Sequence, residues 1–338
     1  MTARAGRRRT SPGTLVKETT VMLSHVDRPV ALGQVTTPRQ QPARPGLARL
    51  RRRLTPYAFL TPTGVLMAIL MLTPIVMVIW YSLLNGVITT KDSTFVGFDN
   101  YLEVLTDPVF YTAVRNTLVF TGTSVVAHFG LGLGFAMLLN TPLLSHRVKA
   151  AFRVIYVLPW LFTVAIIAVL WRLLLNPNGV INYLLGSVGL TGGQTEWLAD
   201  PSTALAAVTF INVWAGYPFF MISLLAGLQG IPRDLYEAAR VDGATPWQQF
   251  RNVTLPQLRP IIVSMALLDF IWTTQQFALI WMTTGGGPIN ATEMLSTFTY
   301  KLAFSRYEFS VASAAAVIVL LLSMVIAFFY VRHQKARD

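Results

Sequence analysis

The chain contains no cysteine, which excludes a disulfide, a thiolate nucleophile and any cysteine-based metal site. Its 4 histidines, His25, His128, His146 and His333, are scattered and lack the spacing of metal ligands. His128 lies inside an apolar run, where packing or a pore-lining hydrogen bond is a more natural role than catalysis. Charge is scarce as well. Asp, Glu, Lys and Arg make up 12% of the residues, against about 25% in soluble domains. Acidic residues are the scarcest, 15 against 27 Lys and Arg, which leaves a net charge of +12. In a chain that is 53% hydrophobic this surplus reads as the positive-inside bias of a membrane protein, and no nucleic acid is expected as a partner. No GxxxxGK[ST] phosphate loop occurs, so the chain is not its own ATPase. Paired aspartates, HExxH and a Ser/His arrangement are missing from the apolar runs, which argues against an intramembrane hydrolase. No metal or cofactor is expected.

What the chain does have is apolar length. Runs long enough to cross a bilayer cover residues 57–83, 117–139, 154–171, 203–228, 260–282 and 311–331. The reading is an all-α membrane protein with about six spanning helices, because backbone groups in lipid must be satisfied internally. The third run is the shortest and holds Pro159. Residues 1–54 are rich in Arg, Pro, Thr and Gln, which predicts a disordered basic tail ahead of a transmembrane domain over 55–338. Arg49, Arg51, Arg52 and Arg53 precede the first run, and Arg147, Lys149 and Arg153 lie between the second and third. Arg233, Arg240, Arg251 and Arg259 lie between the fourth and fifth, and Arg332, Lys335 and Arg337 come after the last. The opposite loops hold fewer, among them Lys91, Lys301 and Arg306. This sidedness predicts a multi-pass protein of the cell's inner membrane with both termini, and the 229–259 loop, in the cytoplasm.

That loop is the most polar segment between long apolar runs. Pro232 suits a first helical turn, Asp234 and Glu237 favour its N-terminal half, and Gly243 suits a left-handed stop. Thr245, Pro246 and Gln248 then have the order of a cap, a first-turn proline and a capping-box partner. Pro256 discourages continuation past Leu255. The prediction is two short helices forming a rigid knob, with small Ala238 and Ala239 on its surface. From Leu228 to Pro260, including Gly243 and the Thr254-Leu255-Pro256 exit, the stretch resembles the Glu-Ala-Ala loop of ATP-binding-cassette (ABC) importer permeases. The resemblance implies docking onto a separate ABC ATPase subunit through Leu235, Glu237, Ala238, Ala239, Asp242, Gly243, Ala244, Phe250 and Pro256.

The outer loops carry a second resemblance. Phe98–Tyr101, Gly285-Gly286-Gly287-Pro288, Thr292-Glu293 and Leu295-Ser296-Thr297 are similar to carbohydrate-type permeases, in particular the larger subunit of maltose importers. Together the two resemblances cover roughly residues 58–331. They imply the type I importer fold, a second permease subunit, an extracytoplasmic sugar-binding protein and a sugar substrate. Ala278 stands where many relatives carry an acidic residue.

The fifth run is unusually polar. Asp269, Trp272, Thr273 and Gln276 have i, i+3, i+4, i+7 spacing and share one helical face. The fourth adds Asn212, Trp214 and Tyr217, with Pro218 able to bend its helix. A mid-bilayer carboxylate faces either a cavity or a partner helix. Substrate-pathway lining and helix–helix adhesion are both open readings. Gly130, Gly132 and Gly134 point to close helix packing. A second function, an ion-gradient-driven transporter of a small polar solute, would need inverted repeats or several intramembrane ionisable groups. Only Asp269 is plainly inside.

Overall fold

The computed structural model of the protein describes residues 45–88, 92–190, 192 and 194–335. By its contacts the chain divides into two units, residues 1–63 and 64–338. The first contributes only the start of α1 to the described residues, and the second holds every other element. The helices are α1 (Pro45–Tyr81), α2 (Asp99–Thr106), α3 (Pro108–Asn140), α4 (His146–Leu161), α5 (Val164–Leu174), α6 (Val180–Ser187) and α7 (Ala204–Gln229). They continue with α8 (Arg233–Val241), α9 (Pro246–Gln249), a π-helical turn (Phe250–Thr254), α10 (Leu255–Thr274), α11 (Ala278–Thr283), α12 (Leu295–Phe304) and α13 (Phe309–Lys335). The one departure from an all-α chain among the described residues is a two-stranded antiparallel ribbon, Leu84–Asn85 with Thr94–Phe95. Helix α1 starts ahead of the domain boundary expected after Leu54. Residues 1–44, which hold most of the expected tail, and Lys91 and Arg337 lie outside the described residues.

Among the described residues, five helices are long and apolar enough to cross a membrane, or up to six if one bent pair counts as a span. That pair corrects the third span. Instead of one helix over 154–171, α4 and α5 meet at 99°. Pro159 removes a backbone donor within the last turn of α4, and Phe162 and Thr163 then turn extended. The fifth span is corrected too. Its helix ends at Thr274, and a break at Gln275–Phe277 precedes the short α11.

Local chemistry sets the helix starts. Asp107 caps α3 by accepting from the Val109 amide at 2.7 Å, and Pro108 occupies the first turn. Ser145 caps α4 through the Val148 amide. Before α7, the hydroxyl and amide of Ser202 hold the Asp200 carboxyl below the usual carboxylate range.

Helices α3 and α7 form the densest contact, and Gly132 is the reason. A Cβ there would lie 2.5 Å from Phe220 Cβ and 2.9 Å from the Met221 nitrogen. The backbones approach because nothing stands between them. Ala136 and Leu139 of α3, Phe220, Leu224 and Leu228 of α7, and Leu258 and Met265 of α10 close one core around this crossing. A second core gathers α2, α3, α12 and α13 around Phe110, Phe298 and Leu302. The glycine-rich loop ahead of α12 is pinned, not loose: the Asn116 amide donates to the carbonyls of Asn290, Ala291 and Glu293, each at 3.1 Å, and Glu293 pairs with Lys301. Outward, large apolar side chains such as Leu66, Leu70, Val126 and Phe210 remain exposed, as a lipid-facing surface requires.

Gly132→Val should therefore destabilise the detergent-solubilised protein by about 1–3 kcal/mol, seen as a lower thermal midpoint. Gly134→Val, whose Cβ meets nothing, is the control. Equal loss in both would contradict this account of the crossing.

Candidate functional site

Two features stand out, one at each end of α10. At its start α8 and α9 form an exposed knob. Gly243 has φ +77°, and the amides of Gly243 and Ala244 donate to the carbonyls of Arg240 (3.0 Å) and Ala239 (2.9 Å), closing α8. Thr245 and Gln248 form the reciprocal capping box, with the Thr245 amide donating to Gln248 Oε1 at 2.7 Å. The second helix does not stop, however. The backbone runs on through the π turn, where the Leu255 amide reaches back to the Phe250 carbonyl, and Pro256 sits in the first turn of α10. Proline is tolerated there because the lengthened turn has already displaced the regular hydrogen-bond ladder. The hydroxyls of Tyr236 and Thr254 meet at 2.9 Å and tie α8 to the turn.

Glu237, Ala238, Asp242 and Gly243 are exposed, as is Leu235 at 39%. Ala239, Ala244 and Phe250 are half-buried, and Pro256 is exposed. A groove of ≈ 530 Å³ beside the knob is lined by Asn140, Ile231, Arg233, Tyr236, Glu237 and Arg240 among others.

Toward the end of α10 a polar cluster is buried among three helices. Nδ1 of His128 (α3) lies 2.8 Å from Oδ2 of Asp269 (α10), and its Nε2 lies 3.1 Å from the Asn212 carbonyl of α7. The Asn212 side chain donates to Ser124 at 3.0 Å, the Thr273 hydroxyl donates to Asp269 Oδ1 at 3.3 Å, and Gln276 Nε2 approaches Asn212 Oδ1 at 3.5 Å. His128 is 2% exposed and Asp269 7%. Gly216 makes the room: a Cβ there would collide with the His128 ring. The cluster opens onto a cavity of ≈ 310 Å³ walled by Trp160, Phe162, Phe219 and Trp272 as well as the polar groups.

Asn212, Asp269, Trp272, Thr273 and Gln276 thus line one cavity. Gln276 does so from the break after α10, not from the shared helical face. Trp272 is 57% exposed and its ring lies 5.5 Å from that of Phe219. Trp214 and Tyr217 do not join them. Trp214 packs on Trp171, and Tyr217 is buried against Phe135. Pro218 sits inside α7 without breaking it, and the carbonyl that His128 engages is that of Asn212. Sequence reasoning left His128 and Gly216 off the candidate site. The available signal was one buried-run histidine beside one intramembrane aspartate, each needing a partner.

A helical bundle with five or six apolar spans, a polar cavity among them and a capped knob continuous with one span defines a membrane transport subunit. A family model of binding-protein-dependent transport system inner membrane components matches residues 128–337. The probable ABC transporter permease protein YurN of Bacillus subtilis is 33% identical over 286 residues, covering 84% of this chain and 97% of that one. The trehalose/maltose transport system permease protein MalF of Thermococcus litoralis is 34% identical over 278 residues, covering 80% of this chain and 91% of that one. A chain of the bacterial alginate ABC transporter, solved with an alginate pentasaccharide-bound periplasmic protein, superposes with a TM-score of 0.72 at 26% identity. That match covers 84% of this chain and 94% of the other. The chain belongs to the family of binding-protein-dependent transport system inner membrane components. This membership sets aside the ion-gradient-driven reading.

Gly243→Val places a β-branched residue at positive φ, a strain of about 1–2 kcal/mol. Hydrogen exchange should quicken in residues 239–249 and stay unchanged along α3 and α7. Unchanged exchange in the knob would refute the strain argument.

Proposed function

We propose that this chain is a permease subunit of an ATP-driven ABC importer of carbohydrate. It forms the translocation path with a second permease, takes sugar from an extracytoplasmic binding protein, and is driven by separate ATPase subunits. The observation that carries this reading is the continuity of the helix from Pro246 to Thr274. One rod, roughly 35 Å from Pro246 to Asp269 at the α-helical rise, joins an exposed knob to a polar cavity in the apolar core. A push on the knob therefore displaces Asp269 and Thr273 against α3 and α7. With basic residues gathered on its side, the knob is cytoplasmic, where ATPase subunits are. The aromatic walls and amide groups suit a sugar, whose rings present C–H faces rimmed by hydroxyls. The sugar-transport names of the MalF relative and the alginate transporter support that substrate class. ATP shifts the transporter between its two openings only through unequal affinity for them.

Vesicles holding both permeases without the ATPase should show no ATP-dependent uptake, and adding the ATPase should establish it. Gly243→Val, and more mildly Glu237→Ala, should weaken ATPase co-purification or uncouple hydrolysis from uptake while the membrane core stays folded. Normal docking and uptake in Gly243→Val would remove the coupling role.

In the cavity, Asp269→Ala should cut uptake at least about tenfold, since it strands a buried imidazole, while the ATPase still co-purifies. Loss of assembly along with uptake would assign the cluster to helix adhesion instead.

A further inference from the structure

We infer that this chain's half of the pathway selects uncharged carbohydrates, and that His128 sets the selection by cancelling the charge of Asp269. The inference rests on the sugar-importer reading. Hydrogen-bond chemistry places the protons. The Asn212 carbonyl only accepts, so Nε2 of His128 carries a hydrogen. A neutral imidazole protonated there would turn the lone pair of Nδ1 toward Oδ2 of Asp269 at 2.8 Å. A lone pair against a carboxylate oxygen is no hydrogen bond, so a second proton lies between Nδ1 and Oδ2. Whichever atom holds it, the pair has no net charge.

The rest of the lining adds none. Its other members are apolar or aromatic side chains, glycine, alanine and proline, together with the amides of Asn212 and Gln276 and the hydroxyl of Thr273. Among the described residues that line it there is no Lys or Arg. A uronate or sulfonate entering this cavity would lose water and find no cation to replace it, at a steep desolvation cost. An ammonium sugar finds a carboxylate already engaged. An uncharged sugar needs only what is offered, hydrogen bonds from amides and hydroxyls and the open ring face of Trp272.

The test uses the complete transporter in vesicles, with labelled maltose, trehalose, lactose, an alginate trisaccharide and glucosamine as probes. At least one neutral disaccharide should be taken up and the alginate trisaccharide should not. Variants are then compared on that neutral sugar. Asp269→Asn keeps the cluster uncharged and should lower uptake about threefold. His128→Gln leaves a buried carboxylate unpaired and should lower it more than about tenfold. Adding Asp269→Asn to His128→Gln should return uptake to the level of Asp269→Asn alone, along with any lost ATPase co-purification. A double variant as impaired as His128→Gln would mean that shape, not charge, is at stake, and would overturn the inference. Uptake of the alginate trisaccharide would overturn it while leaving the importer reading intact. Uptake of a probe sugar that persists without the ATPase would sink the importer reading, and this one with it.

Discussion

Between α3 and α10 a buried imidazole and a buried carboxylate meet at 2.8 Å, and much of the bundle depends on that contact. A lone carboxylate at this depth would cost several kcal/mol. Its partner must therefore come from another helix and must arrive with the right face. His128 reaches it only by lying across α7 where Gly216 has no side chain. Four residues further along α3, Gly132 meets α7 without a side chain of its own. The two glycines, one on each helix, draw α3 and α7 together and bring the polar groups of three helices within reach. Small residues and buried polarity are here two sides of one arrangement.

The knob and the cavity are held in different ways. The knob is held by local bonds that need nothing from the membrane: a left-handed stop, a capping box and a hydroxyl pair. The cavity is held by bonds across helices, at 2.8 to 3.1 Å for His128 and Asn212 and 3.5 Å for Gln276. A handle fixed by its own local bonds, joined to an interior fixed by contacts between helices, passes a displacement of the one to the other.

How much was legible in the chain obeys the same division. Thr245, Gln248 and Gly243 could be read in advance because capping is settled within a few residues. The spans could be read because hydropathy is additive along the chain. The 99° bend after Leu161 could not, although Pro159 marked the weak point, because apolarity continues across the break. The end of α10 at Thr274 was likewise hidden, since apolar residues continue on both sides of Gln275 and Gln276. Trp214 and Tyr217 have the chemistry of a sugar site but face Trp171 and Phe135. Which way a ring points on a wholly apolar helix is decided by its neighbours, and His128 was missed for the same reason.

The π turn at Phe250–Thr254 has a geometric meaning of its own. A π turn carries one more residue than an α turn, and one residue is about 100° of helical phase. The faces of the rod before and after it are therefore out of step with a simple 3.6-residue count. Trp247 and Phe250, stacked on the knob side, and Asp269 and Thr273, aimed into the cavity, are indexed to one another by that single extra residue. Handle and latch share an axis but not a dial setting, and the offset between them is written in the backbone of five residues.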